Sequence, residues 1–187
     1  ALACATRAAV ESAVWAGKSV LIAFLDSSKC DERIDHHLVA RRAVASGCPD
    51  TVVNLSMDVY CGPRLIRAHG AVARAVQGHH RLIAGCSFAK DYRKSFLLPV
   101  AKQCARSTFR DYVDDMVVTA VGTNPEQAAN KLLADLKEIK ERLREDNMVL
   151  NDAKEQIFGP TAASRRAWNN ATGQSAEAQV KDLGVYH

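Results

Sequence analysis

The sequence predicts an α+β domain built on a split βαββαβ sheet with helices on one face, and three stretches predict it. An apolar run of strand length, Ser19 to Leu25, stops at a single acid, Asp26. Two further strands flank Asp114 and Asp115, with Tyr112 before them and Val117, Val118 and Val121 after, because adjacent acids suit a tight turn and β-branched residues a strand. Leu132, Leu136, Ile139 and Leu143 then step by four, three and four along one face of a helix whose opposite face is Lys, Glu and Arg, the pattern of a helix covering a sheet. Strand, helices, hairpin, helix, strand pair, helix and strand, in that order, make up the motif.

The elements follow in chain order. Ala1 to Trp15 is Ala-rich and suits an amphipathic helix that Gly17 breaks; it has neither the basic front end nor the apolar core of a signal peptide. The chain opens on Ala1, which points to a processed product or a fragment. Asp35 can cap a helix through Leu38, Val39, Ala43 and Val44 that ends near Gly47. Cys48-Pro49-Asp50 opens a second, from about Thr51 to Tyr60, which stops at Gly62-Pro63. From Arg64 to Ile83 apolar residues interleave with Arg64, Arg67 and Arg74, which reads as a basic hairpin turning near His69-Gly70, with His79, His80 and Arg81 following. Such a face is either simply solvated or a phosphate contact surface. Gly85 permits a close backbone approach, and Ser87 to Cys104 reads as a helix with Phe88, Tyr92 and Phe96 as core and a kink or break at Pro99. Asn124-Pro125-Glu126 starts the long helix with Asn at the cap and Pro in the first turn. A short strand near Met148 to Leu150 follows, then a turn and Glu155 to Phe158. Residues 159–178, rich in Ala, Ser, Asn, Thr and Gln, read as a mobile connector before a closing strand.

Composition narrows the class without naming a function. With 187 residues, 48% hydrophobic and 25% charged, the chain suits one soluble globular domain or a substantial part of one. A net charge of +4 is compatible with a phosphate-bearing partner and too mild to demand one. No apolar run of about 18 residues exists to span a membrane. The six cysteines have no Cys-x-x-Cys spacing, and His79 and His80 have no ligand-spaced companions, so zinc is disfavoured and reduced, mostly buried thiols of an intracellular protein are expected, with a disulfide framework as the alternative. Asp26, Asp114 and Asp115 hold the chemical interest. Two acids at a hairpin tip serve either as solvated turn formers or, with a third at a neighbouring strand end, as oxygen ligands for hard cations.

At these residues the chain resembles the reverse transcriptase family, closest to polymerases of non-LTR, LINE-type retrotransposons. Leu25-Asp26-Ser27-Ser28-Lys29-Cys30-Asp31-Glu32-Arg33-Ile34-Asp35-His36 is similar to the family's first palm motif, and Ala84-Gly85-Cys86-Ser87-Phe88-Ala89 stands where the family has Gln-Gly-x-x-x-Ser. Tyr112-Val113-Asp114-Asp115 matches the catalytic motif outright. Met148 to Lys154 resembles Gly-Leu-x-Leu-Asn-x-x-Lys, and Val180 to Val185, with Leu183 and Gly184, resembles the primer grip. The five motifs keep the family's order over nearly the whole chain.

The resemblance implies a polymerase palm, ferredoxin- or RRM-like in its sheet, with a finger-type hairpin. It also implies RNA-directed DNA synthesis on an RNA template and a DNA primer from nucleoside triphosphates. Asp26, Asp114 and Asp115 would hold two Mg²⁺ ions, or Mn²⁺, and Lys154 would protonate the departing pyrophosphate. Tyr112 and Gly85 would contact primer end and nucleotide. Arg64, Arg67, Arg74 and Arg81 would face nucleic-acid phosphates, joined by Leu183 and Gly184. The remaining fingers and the thumb are expected before Ala1 and after His187, so that the fragment alone is expected to be inactive, and the parent is expected in nucleus or cytoplasm. Two departures bear on chemistry. Asp31 stands where the family has an aromatic that blocks a 2′-hydroxyl, which leaves a ribonucleotide-accepting palm open; Asp31 acting only as a cap or a solvated acid also stays open. Ala84 and Ala89 replace the Gln and Ser of the second motif, which leaves a non-catalytic binding remnant open.

Overall fold

The structure is a computed structural model that describes residues 2–27, 30–78, 80–83, 86–112, 115–179, 181–182 and 185–186. It divides into two compact units, Ala1–Ser28 with Val100–His187, and Lys29–Pro99.

The first unit is organised on a four-stranded antiparallel sheet. Its strands are β1 (Ser19–Asp26), β6 (Thr108–Tyr112), β7 (Asp115–Gly122) and β8 (Gln156–Phe158), in the spatial order β6-β7-β1-β8. That is the strand order of a split βαββαβ unit, with the first and third strands central. β1 and β7 pair over their full eight residues, from Ser19 opposite Gly122 to Asp26 opposite Asp115.

The expectation of helices on one face needs correction, because helices cover both. Helix α1 (Leu2–Trp15) lies on the face of Val20, Ile22 and Phe24, where Val10 and Ala13 join Val117 and Phe158 in one apolar cluster. Helices α6 (Pro125–Glu145) and α7 (Ala162–Thr172) take the other face. A Cβ on Gly122 would meet the Ala128 backbone nitrogen of α6 at 2.6 Å, and one on Gly159 would meet Leu21 at 3.3 Å and Arg165 of α7 at 2.8 Å. The cause is in β1, where Val20, Leu21, Ile22 and Ala23 are all buried. A continuous apolar run needs both faces covered, as an alternating one does not.

Helix α6 starts as its sequence suggests, with the Asn124 side chain accepting from Gln127 N at 2.8 Å and Pro125 at the first position. Leu132, Leu136, Ile139 and Leu143 are buried, and at ~1.5–3 kcal/mol for each buried apolar side chain they fasten the helix to the sheet. The fourth strand lies later than expected. Leu150 makes only an isolated bridge to Ser27, while Gln156–Phe158 pairs with β1. Residues 159–178 hold α7 where a mobile connector was expected. Thr161 caps it, Gly173 ends it at φ 73°, and Trp168 is buried at 1% exposure. The expected closing strand takes the form of two short strands, β9 (Lys181–Asp182) and β10 (Val185–Tyr186), paired with each other.

The second unit holds α2 (Cys30–Arg33), α3 (His36–Ala45), α4 (Asp50–Cys61) and most of α5 (Ala89–Gln103), which continues through Pro99 without a break. Asp35 caps α3 as expected, accepting from Leu38 N at 2.8 Å. Tyr60, Tyr92 and Phe96 are buried as core, while Phe88 is 45% exposed. Between α4 and α5 the hairpin forms in two short ladders, β2 (Pro63–Arg64) with β5 (Val76–Gln77) and β3 (Arg67–Ala68) with β4 (Ala71–Val72). Its turn is His69-Gly70, with φ 50° and 83°. Positive φ at both central residues is the two-residue turn whose twist matches a hairpin, and Gly70 adopts it without steric cost.

Candidate active site

The acids at the end of β1 and β7 are placed by register. Val20, Ile22 and Phe24 stand opposite Val121, Thr119 and Val117, and the next pair on that face is Asp26 opposite Asp115. An apolar face thus becomes acidic in one step, at the last rung of the ladder. Directly opposed residues have Cβ atoms about 4.5–5.5 Å apart. Asp115 heads β7 and sits in the strand, where the sequence reading had it in the turn. Tyr112 closes β6 and its backbone pairs with Asp115. Asp114 lies outside the described residues, as do Gly85, Leu183 and Gly184.

Lys154 is brought to the same rung from 128 residues away. Asn151 N donates to the Asp26 carbonyl at 2.9 Å, Leu150 bridges Ser27, and a single 3₁₀ turn at Asp152–Lys154 then presents the lysine. Its Nζ lies 3.3 Å from Asp26 Oδ2 and 3.4 Å from Oδ1, with the lysine side chain 64% exposed and the aspartate 24%. An ammonium so exposed is held weakly and can leave its partner. While there, it supplies the positive charge that two opposed carboxylates require.

The donor set suits a hard divalent cation. Two carboxylates on neighbouring central strands offer oxygen ligands, and Asp26 already draws a cationic group onto both of its oxygens. Among the described residues no cluster of three or more His, Cys, Asp or Glu side chains is gathered for a metal.

The remaining site residues lie in the second unit. Asp31, in the first turn of α2, faces Arg93 of α5 at 3.8 Å, and the arginine side chain is only 6% exposed. Its carbonyl also accepts from Leu82 N at 2.8 Å. Asp31 therefore ties α2 to a buried cation, an occupation the sequence did not disclose. Arg64, Arg67 and Arg74 belong to the hairpin. Arg67 and Arg74 are exposed, while Arg64 is half-buried and donates from Nη2 to the Tyr60 carbonyl at 3.0 Å. Arg81 is exposed, with φ 96°.

Two charged or nucleophilic pairs escaped the sequence reading. In the first unit, Asp135 is fully buried and accepts from Arg106 Nη1 at 2.8 Å and from Arg106 N at 3.2 Å. Those hydrogen bonds, with a further one to Glu138, raise the Arg106 guanidinium above its usual value. An acid on the apolar side of α6 was the available signal. In the second unit, His36 and Cys61 touch, a pairing across 25 residues with no motif to announce it.

The fold and this rung together define an α+β protein with an antiparallel four-stranded sheet that presents two acids and a lysine at one end. Among solved structures the chain is similar to apo telomerase from Candida tropicalis, truncated from its C-terminal domain, with a TM-score of 0.60 and 10% identity over 90% of this chain. It covers 34% of that telomerase chain, so it spans about a third of the neighbour's length. At this identity the likeness is one of fold. No family model matches the sequence, and no curated protein matches it.

Proposed function

We propose that the chain is the palm-bearing part of an RNA-directed DNA polymerase of the reverse transcriptase type, related to non-LTR retrotransposon polymerases, that works inside the cell on an RNA template and a DNA primer. The observation that carries this is the rung of Asp26 and Asp115 with Lys154 upon it, at the end of the two central strands of the sheet. The similarity of fold to a telomerase supports it.

In the reaction, the primer 3′-oxygen bonds to the α-phosphorus of a nucleoside triphosphate and the bond to pyrophosphate breaks. Asp26 and Asp115, with Asp114, would hold two Mg²⁺ ions; bound there, they would lower the pKa of the primer hydroxyl and offset charge on the leaving phosphates. With such an ion on Asp26, the exposed Lys154 would be released from its carboxylate and would serve as the acid that protonates the departing pyrophosphate. Tyr112 and Gly85 support primer and nucleotide, and Arg64, Arg67, Arg74 and Arg81 with Leu183 and Gly184 contact nucleic acid without reading its sequence. Deoxynucleotides are the preferred substrate in this reading, because the Asp31 carboxylate, the one feature favouring ribonucleotides, is engaged by Arg93.

The test is primer extension on an RNA template by the full-length protein that carries this sequence, with dNTPs and NTPs in separate reactions. Asp26→Asn should lower dNTP incorporation by ~100-fold or more, as expected for ~3 kcal/mol of lost transition-state stabilisation, with template affinity unchanged. Template binding with no extension by the unsubstituted protein would leave a binding remnant, and preference for NTPs would move the reading to an RNA polymerase.

A further inference from the structure

His36 and Cys61 form a nucleophile–base pair whose protonation is set by its surroundings. His36 Nε2 lies 2.9 Å from the Arg81 carbonyl oxygen. A carbonyl only accepts, so Nε2 carries the ring proton of the neutral imidazole and Nδ1 presents its lone pair. Cys61 Sγ lies 3.3 Å from that Nδ1, which makes the thiol the donor. The ring is fixed from several sides. It is 2% exposed, stacks on Tyr60 at 5.7 Å and 28°, and follows the Asp35 cap at the start of α3. Arg81, which receives its Nε2–H, is itself pinned by a hydrogen bond from its N to Ile34 O at 3.0 Å and holds φ 96°, a conformation costly for a residue with a side chain. Backbone strain of this kind persists only where the surroundings over-determine it.

The base is therefore buried and immobile, while Cys61, at the last position of α4, is only half-buried. A nucleophilic cysteine needs this asymmetry: an adjacent acceptor for its proton and an open side for the electrophile. Cys104 in the first unit shows the contrasting case. Its thiol points at the Val100 carbonyl, and burial with Asp135 and Glu138 nearby pushes it up to about 12.

We infer that Cys61 is a modification site, a thiol activated by His36 that exchanges with low-molecular-weight disulfides of the glutathione class. In the step, Cys61 gives its proton to His36 Nδ1 and its sulfur attacks one sulfur of the disulfide. The new S–S bond forms as the old one breaks, and the departing thiolate recovers the proton from the imidazolium. Cys61 is oxidised and half of the reagent is released reduced. The adduct would stand two residues before β2, at the root of the basic hairpin, whose far leg leads to the Arg81 that His36 holds. This site does not depend on the polymerase reading.

The test incubates the full-length native protein with oxidised glutathione, quenches in acid, and follows each cysteine by peptide mass spectrometry. Cys61 should be modified at least ~10-fold faster than Cys48, which is equally half-buried, a conservative share of the ~100-fold that a positioned base contributes. His36→Gln should remove that advantage and leave the Cys48 rate unchanged. Rates for Cys61 and Cys48 within a factor of about two in the unsubstituted protein would overturn the inference, as would a folded His36→Gln variant in which Cys61 keeps its lead. If His36→Gln unfolds, shown by a joint rise at every cysteine, the ratio in the unsubstituted protein decides alone.

Discussion

Asp26 and Asp115 end two eight-residue strands with buried interiors, whereas Arg67 stands on a strand of two residues that is exposed throughout. The first pair is held by eight rungs of register, and a slip of one residue would turn every buried side chain of β1 to the opposite face. The hairpin has two rungs in each ladder, and Leu65, Ile66, Val72 and Val76 are all more than half exposed, so little apart from its turn sets its geometry. The difference matches what each set of charges is proposed to do. Carboxylates that share a cation need placement to fractions of an ångström. Arginines that meet phosphates along a flexible backbone tolerate, and profit from, a compliant mount.

The largest effect should come from breaking the rigid side at a distance from the acids. Trp168 is the biggest fully buried side chain, and its helix lies on the face of the sheet opposite Asp26. Trp168→Ala should cost ~3–5 kcal/mol, read as a fall in the urea midpoint, with amides of β1 and β7 losing hydrogen-exchange protection and those of Arg67 to Val72 keeping theirs. A cost below ~1 kcal/mol would mean that α7 is not part of the frame that holds the rung.

A smaller effect separates the two regions by pH. The Cys104 thiol is raised from 9.0 to about 12 by burial first and by Asp135 and Glu138 second. The native protein thus binds this proton more tightly than the unfolded chain, so the associated stability is complete below pH 9 and is lost as pH climbs from 9 towards 12. The Tyr60 phenol of the second unit is likewise raised, by burial and by Cys86, from an ordinary value of 10.0, so its contribution begins to fail only above pH 10. Alkaline destabilisation should therefore start on the sheet side, and Cys104→Ala should flatten the urea midpoint between pH 9 and 10. An unchanged slope in that variant would assign the loss to another group.

The parts of this molecule that were legible in the sequence are those fixed locally. The Asn124 cap, the His69-Gly70 turn and the stop of β1 at Asp26 each depend on a few adjacent residues. The second covered face was also written there, in Val20-Leu21-Ile22-Ala23, but an unbroken run does not say what lies on either side. α7 was concealed by its polar composition, although Thr161 and Gly173 are ordinary helix end signals and Trp168 marks the buried face. Asp31 with Arg93, Asp135 with Arg106, and His36 with Cys61 are pairings made by tertiary packing, and nothing in the spacing of either partner foretells the other. Of the candidate site, Asp26 and Lys154 were named from motif positions, but their contact required the 3₁₀ turn that only the fold supplies.

The smallest prediction tests the compliant side. His69 and Gly70 both hold positive φ, and Asn-Gly is the pair that this turn favours. Gly70→Ala places a Cβ in open space, so it meets no clash, and its cost of ~1–2 kcal/mol is the backbone strain of the left-handed conformation alone. His69→Asn acts in the opposite direction and by less. Because Ala73 N donates to Ile66 O at 2.8 Å just beyond the turn, its exchange rate reports hairpin closure directly. It should speed up in Gly70→Ala and slow in His69→Asn, with the amides of β1 unmoved in both. If Gly70→Ala left the Ala73 rate unchanged, the turn would not be what registers the hairpin, and its arginines would owe their positions to β2 and β5. If the β1 amides moved as well, the two regions would unfold together, and the contrast between rigid acids and compliant arginines would fail.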